Sequence, residues 1–262
     1  MEKELFIREV RPCIFLMDEA HEATGYLVIG KEKACVIDTM NGYNDLYRAV
    51  RKLTDLPLVV VNTHGHPDHI FGNLYFEEEA FLPPADLPLA ASFAEDPEFL
   101  AFAREKGRSM PPFRELLPGS RIDLGGRTLE AHALPGHTPG STLLLLKEDR
   151  ILFTGDSINH HLWLQLDGCL PVHACAEQLD RVLFLMDEAD IILHGHARDE
   201  DDISLLRCMR RGIEEICEGK TADDGPYRWF GGEDLQHAFR CEENKRYQQN
   251  DHVICYRADN IG

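Results

Sequence analysis

The chain has 262 residues, 44% of them hydrophobic, a balance that suits one packed globular domain and excludes disordered and fibrous classes. With 27 basic against 46 acidic residues the net charge is −19, so a general electrostatic hold on nucleic acid or anionic lipid is disfavoured, while a local basic pocket could still bind one anionic small molecule. No apolar run approaches the roughly 18 residues of a membrane span, and the charged start MEKELFIREV holds no apolar leader, so the expected location is cytoplasmic.

Residues 5–17, 25–30 and 33–38 read as three short strands joined by polar turns, the last ending in Asp38-Thr39. From Asn44 to Leu53 the apolar residues Leu46, Tyr47, Val50 and Leu53 recur at helical spacing and lead into the apolar run Leu58 to Val61. That run ends in Thr63-His64-Gly65-His66-Pro67-Asp68-His69, so four metal-type side chains leave one strand end together, where sites form in open α/β sheets. Residues 81–118 carry seven of the 14 prolines around short helical pieces and read as an insertion over one end of the sheet. Strands resume at about 121–123, 127–134, 141–146 and 150–154, followed by a helix near 174–187, a strand at 190–193 and a helix near 201–217. LVVVNTHGH (58–66) and ADIILHGH (189–196) form a weak internal echo. Residues 218–262 read as a polar, glycine-rich C-terminal extension rather than a second domain, with His252 to Tyr256 as an edge strand. The eight cysteines contain no C-x-x-C pair and read as free, mostly buried thiols in a reducing compartment.

His137 in Pro-Gly-His-Thr-Pro-Gly, Asp156 in Phe-Thr-Gly-Asp and His196 in His-Gly-His each follow an apolar strand or a tight turn. Gly136, Gly155 and Gly195 directly precede them, where a missing Cβ lets the backbone turn sharply and approach an ion. Imidazole and carboxylate without thiolate suit zinc, manganese or iron in an open catalytic site.

Taken in order, HGHPDH (64–69), PGHT (135–138), TGD (154–156) and GH (195–196) resemble the motifs of the metallo-β-lactamase fold superfamily of hydrolases. The resemblance covers most of the chain and implies an α/β fold, a four-layer αβ/βα sandwich of two mixed β-sheets flanked by helices, as one domain over 1–262. It implies that His64, His66 and His137 hold one metal, that Asp68, His69 and His196 hold a second, and that Asp156 bridges them. The expected cofactor is a pair of divalent ions, zinc first, with manganese or iron as alternatives. Two such ions roughly 3.5–4 Å apart can share a hydroxide of near-neutral pKa. That hydroxide would attack an ester, thioester, lactone or similar bond of a small molecule, with Asp68 orienting it and passing its proton to the leaving group. Asp38, Thr39 and Thr63 are candidates for hydrogen bonds to the ligand imidazoles.

His66 stands where the di-iron oxygen reductases that resemble this fold carry a carboxylate, which favours hydrolysis. Asp156 stands where the best-known metallo-β-lactamases use Cys, which points away from antibiotics. Thioesterases of the glyoxalase II type usually carry His at the position of Ser141 and a C-terminal helical region, neither evident here. The alternatives are a mononuclear iron sulfur dioxygenase, a phosphodiesterase of the same fold, and a metal-binding module without catalysis; a homodimer stays open.

His160, His161, Trp163 and His173 in the 157–173 segment, together with His194 and Trp229, are candidates to line a substrate pocket. Each has a plainer reading: a surface histidine in an ordinary loop for the first group, a core histidine for His194, and a surface-packed tail for Arg228 and Trp229. His194 also departs from the proline usual at its position. His21, His132, His237 and His252 read as solvated or core histidines, and Arg198 to Asp202 as a solvated acidic helix start.

Overall fold

The structure, a computed structural model, describes residues 3–241 and 252–262. β1 (Leu5–Arg11), β2 (Ile14–Glu19), β3 (Ala23–Ile29) and β4 (Ala34–Ile37) pair antiparallel in chain order. The stretch expected as one strand over 5–17 is therefore a hairpin, broken at Pro12-Cys13, where Cys13 has φ 63°. α1 (Leu46–Val50), capped by the Asp45 carboxylate on the Arg48 amide, returns the chain to β5 (Leu58–Val61), which lies parallel to β4. After the single turn α2 (Pro67–Ile70) come β6 (Ala80–Leu82), α3 (Leu87–Ala94), α4 (Pro97–Glu105) and β7 (Phe113–Glu115). β6 and β7 continue the sheet in parallel, so the proline-rich stretch contributes strands to the sheet as well as helices.

A second mixed sheet holds β8 (Arg121–Asp123), β9 (Thr128–Ala133), β10 (Thr142–Leu146) and β11 (Ile151–Gly155). The chain leaves it through β12 (His161–Leu164) and α5 (Val172–Val182), then returns as β13 (Ile191–His194), parallel to β11, and the short β14 (Asp201–Asp202). α6 (Ser204–Cys217) follows, then β15 (Gly225–Trp229), β16 (Gly232–Phe239) and β17 (His252–Tyr256).

Alternation along the strands places the layers. Leu144, Leu146 and Phe153 of the second sheet meet Tyr26, Ile37 and Val61 of the first in one buried cluster. Leu143, Leu145 and Leu152 face outward onto Leu179, Met209 and Ile213 of α5 and α6. Leu27, Val36 and Val60 face outward from the first sheet onto Leu46, Val50 and Phe99. Helices, sheet, sheet, helices is the expected four-layer order, with strands covered on both faces and therefore apolar nearly throughout. α6 buries Leu205, Met209, Ile213 and Ile216 at helical spacing, each worth about 1.5–3 kcal/mol of transfer free energy.

A third sheet departs from expectation. Its order is β12-β17-β16-β15, so the 157–173 segment holds a strand, and 252–256 sits in the sheet's interior, parallel to β12, rather than at an edge. The thiol expectation also needs correction: Cys208 on α6 and Cys241 beyond β16 form a disulfide with Cα atoms 5.4 Å apart, while the other six cysteines are free. Their separation of 33 residues leaves no local signature for a sequence to show. No helix among the described residues is long and apolar enough to cross a membrane.

Candidate metal centre

The C-terminal ends of β5, β11 and β13 converge at one edge of the sandwich. Beyond β5, Asn62 and Thr63 lead to His64 and His66, and α2 lifts Asp68 and His69 on its single turn. The turn beyond β9 supplies His137, β11 ends at Gly155 before Asp156, and β13 ends at His194 before Gly195 and His196. His64, His66 and His137 form one group of converging donor atoms, and Asp68, His69, Asp156 and His196 form a second. His64 Nε2 and His137 Nε2 lie 3.1 Å and 3.0 Å from His66 Nδ1. In the second group His196 Nε2 is 2.9 Å from Asp156 Oδ2, and His69 Nε2 is 3.5 Å from Asp156 Oδ1. Asp68 Oδ2 is 3.6 Å from both of those imidazole nitrogens. His137 Nε2 lies 3.8 Å from Asp156 Oδ2, so Asp156 reaches toward both groups.

Hydrogen bonds on the far side of each ring fix where the protons sit. Asp38 accepts from the Thr63 amide and hydroxyl, both at 2.8 Å, and from His69 Nδ1 at 2.9 Å. Because the Thr63 hydroxyl is spent on Asp38, its oxygen accepts from His64 Nδ1 at 3.1 Å. His137 Nδ1 donates to the Trp163 carbonyl at 2.7 Å, and His196 Nδ1 to the Glu22 carbonyl at 2.8 Å. With Nδ1–H so engaged, the four rings aim their Nε2 atoms at one another and at two carboxylates. Metal cations among these atoms would satisfy that arrangement. His69 Nε2 and Asp156 Oδ1 are buried without a hydrogen-bond partner, and the donor spacings match the edges of coordination polyhedra with bonds of about 2.0–2.2 Å. The residues fit divalent metal ions.

The electrostatics separate the two groups. Burial first, then the neighbouring imidazoles, lower His64 and His66 well below the usual histidine value. Burial also lowers His137, against the opposing pull of Asp156. Burial opposes protonation of His69 and His196 too, but the surrounding carboxylates override it, raising His69 well above its ordinary value and His196 to about 9. Burial would raise Asp156, yet the charges of His196 and His69 hold it well below the carboxylate range. The second group is thus a concentration of negative charge that takes up protons where a metal ion could stand.

Local backbone requirements explain the glycines. A Cβ on Gly195 would lie 2.3 Å from Asp156 Oδ1 and 2.5 Å from the His69 ring, and one on Gly155, at φ +50°, 2.3 Å from Thr63 Oγ1. Gly136 differs: a Cβ there would meet only Cys175, at ordinary van der Waals distance, 3.4 Å from its Sγ. Asp38 itself sits at φ 56°, an uncommon backbone state for a residue other than Gly, held by its three donors and by its amide on Val61 O.

His160, His161, Trp163 and His194 line a cleft of about 1060 Å³ that opens onto the metal-type groups. His173 does not join them: it is exposed on the first turn of α5, where its amide donates to the Ile261 carbonyl. Trp229 stands behind the wall, with its ring centroid 5.9 Å from Trp163 and its Nε1 donating to Asp234, while the adjacent Phe230 lines the cleft. His194 accepts the His196 amide at Nδ1 (3.2 Å), so its proton sits on Nε2, 3.3 Å from Asp201 Oδ2. His160, His194 and Asp201 form a third group of converging donor atoms on this wall. Asp201 is buried and also meets His160 Nε2 at 3.0 Å, which corrects the reading of 198–202 as a solvated helix start.

Sequence reasoning missed Asp86. Wholly buried in the proline-rich stretch, it accepts from the Gly65 amide, the Thr138 hydroxyl and the Gly140 amide at 2.7–2.9 Å, tying the His64 loop to the His137 loop. No local motif marks it.

Comparison with known proteins bears on these groups. The family model of the metallo-beta-lactamase superfamily matches residues 21–196, which include every one of the converging ligands. The acyl-coenzyme A thioesterase MBLAC2 of Bos taurus is 30% identical over 210 residues, covering 68% of this chain and 74% of that protein. The Gallus gallus protein of that name is 32% identical over 164 residues, 54% of this chain, and the match spans only 59% of its length. Among solved structures, a metallo-beta-lactamase from Pontibacter korlensis superposes with a TM-score of 0.64 at 19% identity, covering 80% of this chain and 99% of that one, a likeness of fold.

Proposed function

The chain belongs to the metallo-beta-lactamase superfamily, and from that premise we propose that it is a dinuclear, zinc-type hydrolase of small-molecule esters or thioesters. The observation that carries this reading is the set of four imidazoles whose Nδ1 hydrogen bonds turn Nε2 inward, His69, His137 and His196 toward Asp68 and Asp156 and His64 toward His66. His64, His66 and His137 would hold one ion, Asp68, His69 and His196 the other, with Asp156 between them. When bound, such a pair supplies an activated water as nucleophile and a Lewis acid for the substrate carbonyl. The all-nitrogen-and-oxygen donor set with a cleft on one side suits zinc in a catalytic rather than a closed structural site. The thioesterase name of the bovine relative supports a thioester among the substrates.

The chain's own groups orient the reaction. Asp68 is the partly exposed carboxylate of the second group, facing the cleft, with Oδ2 toward His69 and His196. In this reading Asp68 takes the proton of the attacking water and delivers it to the leaving sulfur or oxygen. Asp38, Trp163 O and Glu22 O hold the imidazoles in the tautomer this requires, and burial around His64 and His137 keeps bulk water from one side. A second group as complete as the first argues against a one-iron dioxygenase.

Two zinc or manganese ions per chain by metal analysis, with hydrolysis of ester and thioester probes, are expected. Asp68→Ala is expected to abolish turnover while circular dichroism shows the fold intact; a fully active variant would overturn the mechanism.

A further inference from the structure

The cleft over the metal-type groups has apolar walls and an acidic rim. On one side α3 presents Leu89 and Phe93, the Phe93 ring 6.2 Å from His66. On the other side stands Trp163, whose carbonyl holds His137 and whose ring meets Tyr227, Trp229 and Phe230 at 5.9 Å each. Phe230 is the first residue of the two-residue turn joining β15 to β16, where Trp229 pairs with Gly232. It lines the cleft although it is 89% exposed, so a large aromatic ring stands in solvent at the mouth of the site. Isolated exposed aromatics need no explanation; one that extends a continuous aromatic surface from beside a candidate metal ligand to a hairpin tip forms a binding wall.

Charge narrows what that wall receives. Apart from the candidate metal ligands, the charged residues among the described ones that line the cleft are Glu22, Asp167, Asp199, Asp201 and a single cation, Arg198. Glu22, Asp167 and Asp199 are already matched to Lys3, Arg257 and Arg8, residues outside the lining, which leaves Arg198 as the lining cation. A carrier bearing several phosphates would therefore find one guanidinium among carboxylates, whereas an uncharged carrier loses nothing there. A volume of about 1060 Å³ stands at the upper end of the range for drug-sized ligands, far beyond what an acetyl ester needs.

We propose that the substrate is an ester or thioester of an extended apolar acyl group on an uncharged carrier, its tail held between Leu89 and Phe93 on one side and Trp163 and Phe230 on the other. This rests on the hydrolase reading and deepens it. Water adds to the acyl carbon, the carbon–sulfur or carbon–oxygen bond breaks, the carrier leaves as thiol or alcohol with the proton relayed by Asp68, and the fatty acid is the other product. Phe230 folds over the tail and excludes water from the aromatic wall.

Of the chain's two tryptophans, Trp163 stands in this wall and Trp229 packs directly behind it, so intrinsic fluorescence reports on it. Zinc-loaded protein is titrated with decanamide, with butyramide and with free coenzyme A, and decanoyl and acetyl thioesters of N-acetylcysteamine are compared with decanoyl-coenzyme A as substrates. Decanamide should shift the emission, with half-saturation at least tenfold below butyramide, since each buried methylene contributes up to about fourfold; coenzyme A should leave the emission unchanged. The kcat/KM for the decanoyl N-acetylcysteamine thioester should exceed that of the acetyl thioester and of decanoyl-coenzyme A at least tenfold, and Phe230→Ser should weaken decanamide binding at least fivefold. Equal affinity for the two amides, or preference for the coenzyme A ester, overturns the proposal while leaving a hydrolase. Tight, Phe230-dependent decanamide binding without hydrolysis of any ester or thioester sinks the hydrolase reading and leaves the apolar site standing. The chain-length comparison on the unaltered protein decides the matter should Phe230→Ser misfold.

Discussion

His69 Nδ1 donates to Asp38 Oδ2 at 2.9 Å, both side chains essentially out of contact with solvent. Asp38 thereby sets the tautomer of a candidate ligand from the end of β4, a different strand from the one that delivers the ligand. Asp38→Asn keeps the shape but offers the Thr63 and His69 hydrogens one acceptor oxygen instead of two. Metal affinity, measured by competition with a chromophoric chelator, should fall roughly 10–100-fold. Unchanged affinity would remove Asp38 from the working site.

Gly195→Ala tests close packing within the second group. Its methyl would enter the space of Asp156 Oδ1 and the His69 ring, so these groups must shift. Turnover should drop about 100-fold or more, with less than two ions retained after dialysis, because an ångström of misplacement costs that much in a positioned site. Wild-type occupancy in this variant would show that the backbone yields instead.

Asp201 gives a pH dependence of stability. Burial would raise its carboxyl, but hydrogen bonds from His160 and His194, and then their charges, hold it far below the usual carboxylate range. A folded-state value below the unfolded one of about 3.9 contributes stability that is present above roughly pH 4 and lost as pH falls through the folded value. Asp201→Asn should therefore be less stable than wild type by about 1–3 kcal/mol at neutral pH in urea titrations of metal-free protein. The gap should close on acidification; a gap that widens below pH 4 contradicts the assignment.

The thiols offer a fourth test. Burial pushes Cys169, Cys175 and Cys255 up to about 12, so they resist alkylation near neutral pH, whereas exposed Cys13 is open to reagent. Native protein should lose Cys13 rapidly, and unfolded, unreduced protein should titrate six thiols of the eight cysteines. Eight would show that Cys208 and Cys241 are not joined.

The converging groups were legible because each enters through a short local pattern: a strand end, a glycine, a histidine or aspartate. The four-layer order was legible for a related reason, since apolar runs without alternation mark strands covered on both faces. What stayed hidden depends on partners far apart in the chain. Asp86 meets Gly140 across 54 residues and His196 meets the Glu22 carbonyl across 174, and a carbonyl carries no sequence signal at all. Asp201 reads as one more acid in an exposed run because its histidines arrive from just before β12 and from the end of β13. The third sheet was unreadable for the same reason, as β12 finds its partner β17 about ninety positions later.

Trp163 belongs to the site twice. Its carbonyl holds His137, and that is a property of the main chain that any residue at position 163 would keep; its ring shapes the cleft, and that belongs to tryptophan alone. Ion retention and substrate preference are therefore separable at a single position. Lineages of this fold could exchange the ring and drift in what they accept without loosening the metal, so position 163 is where an engineer seeking a new specificity should begin.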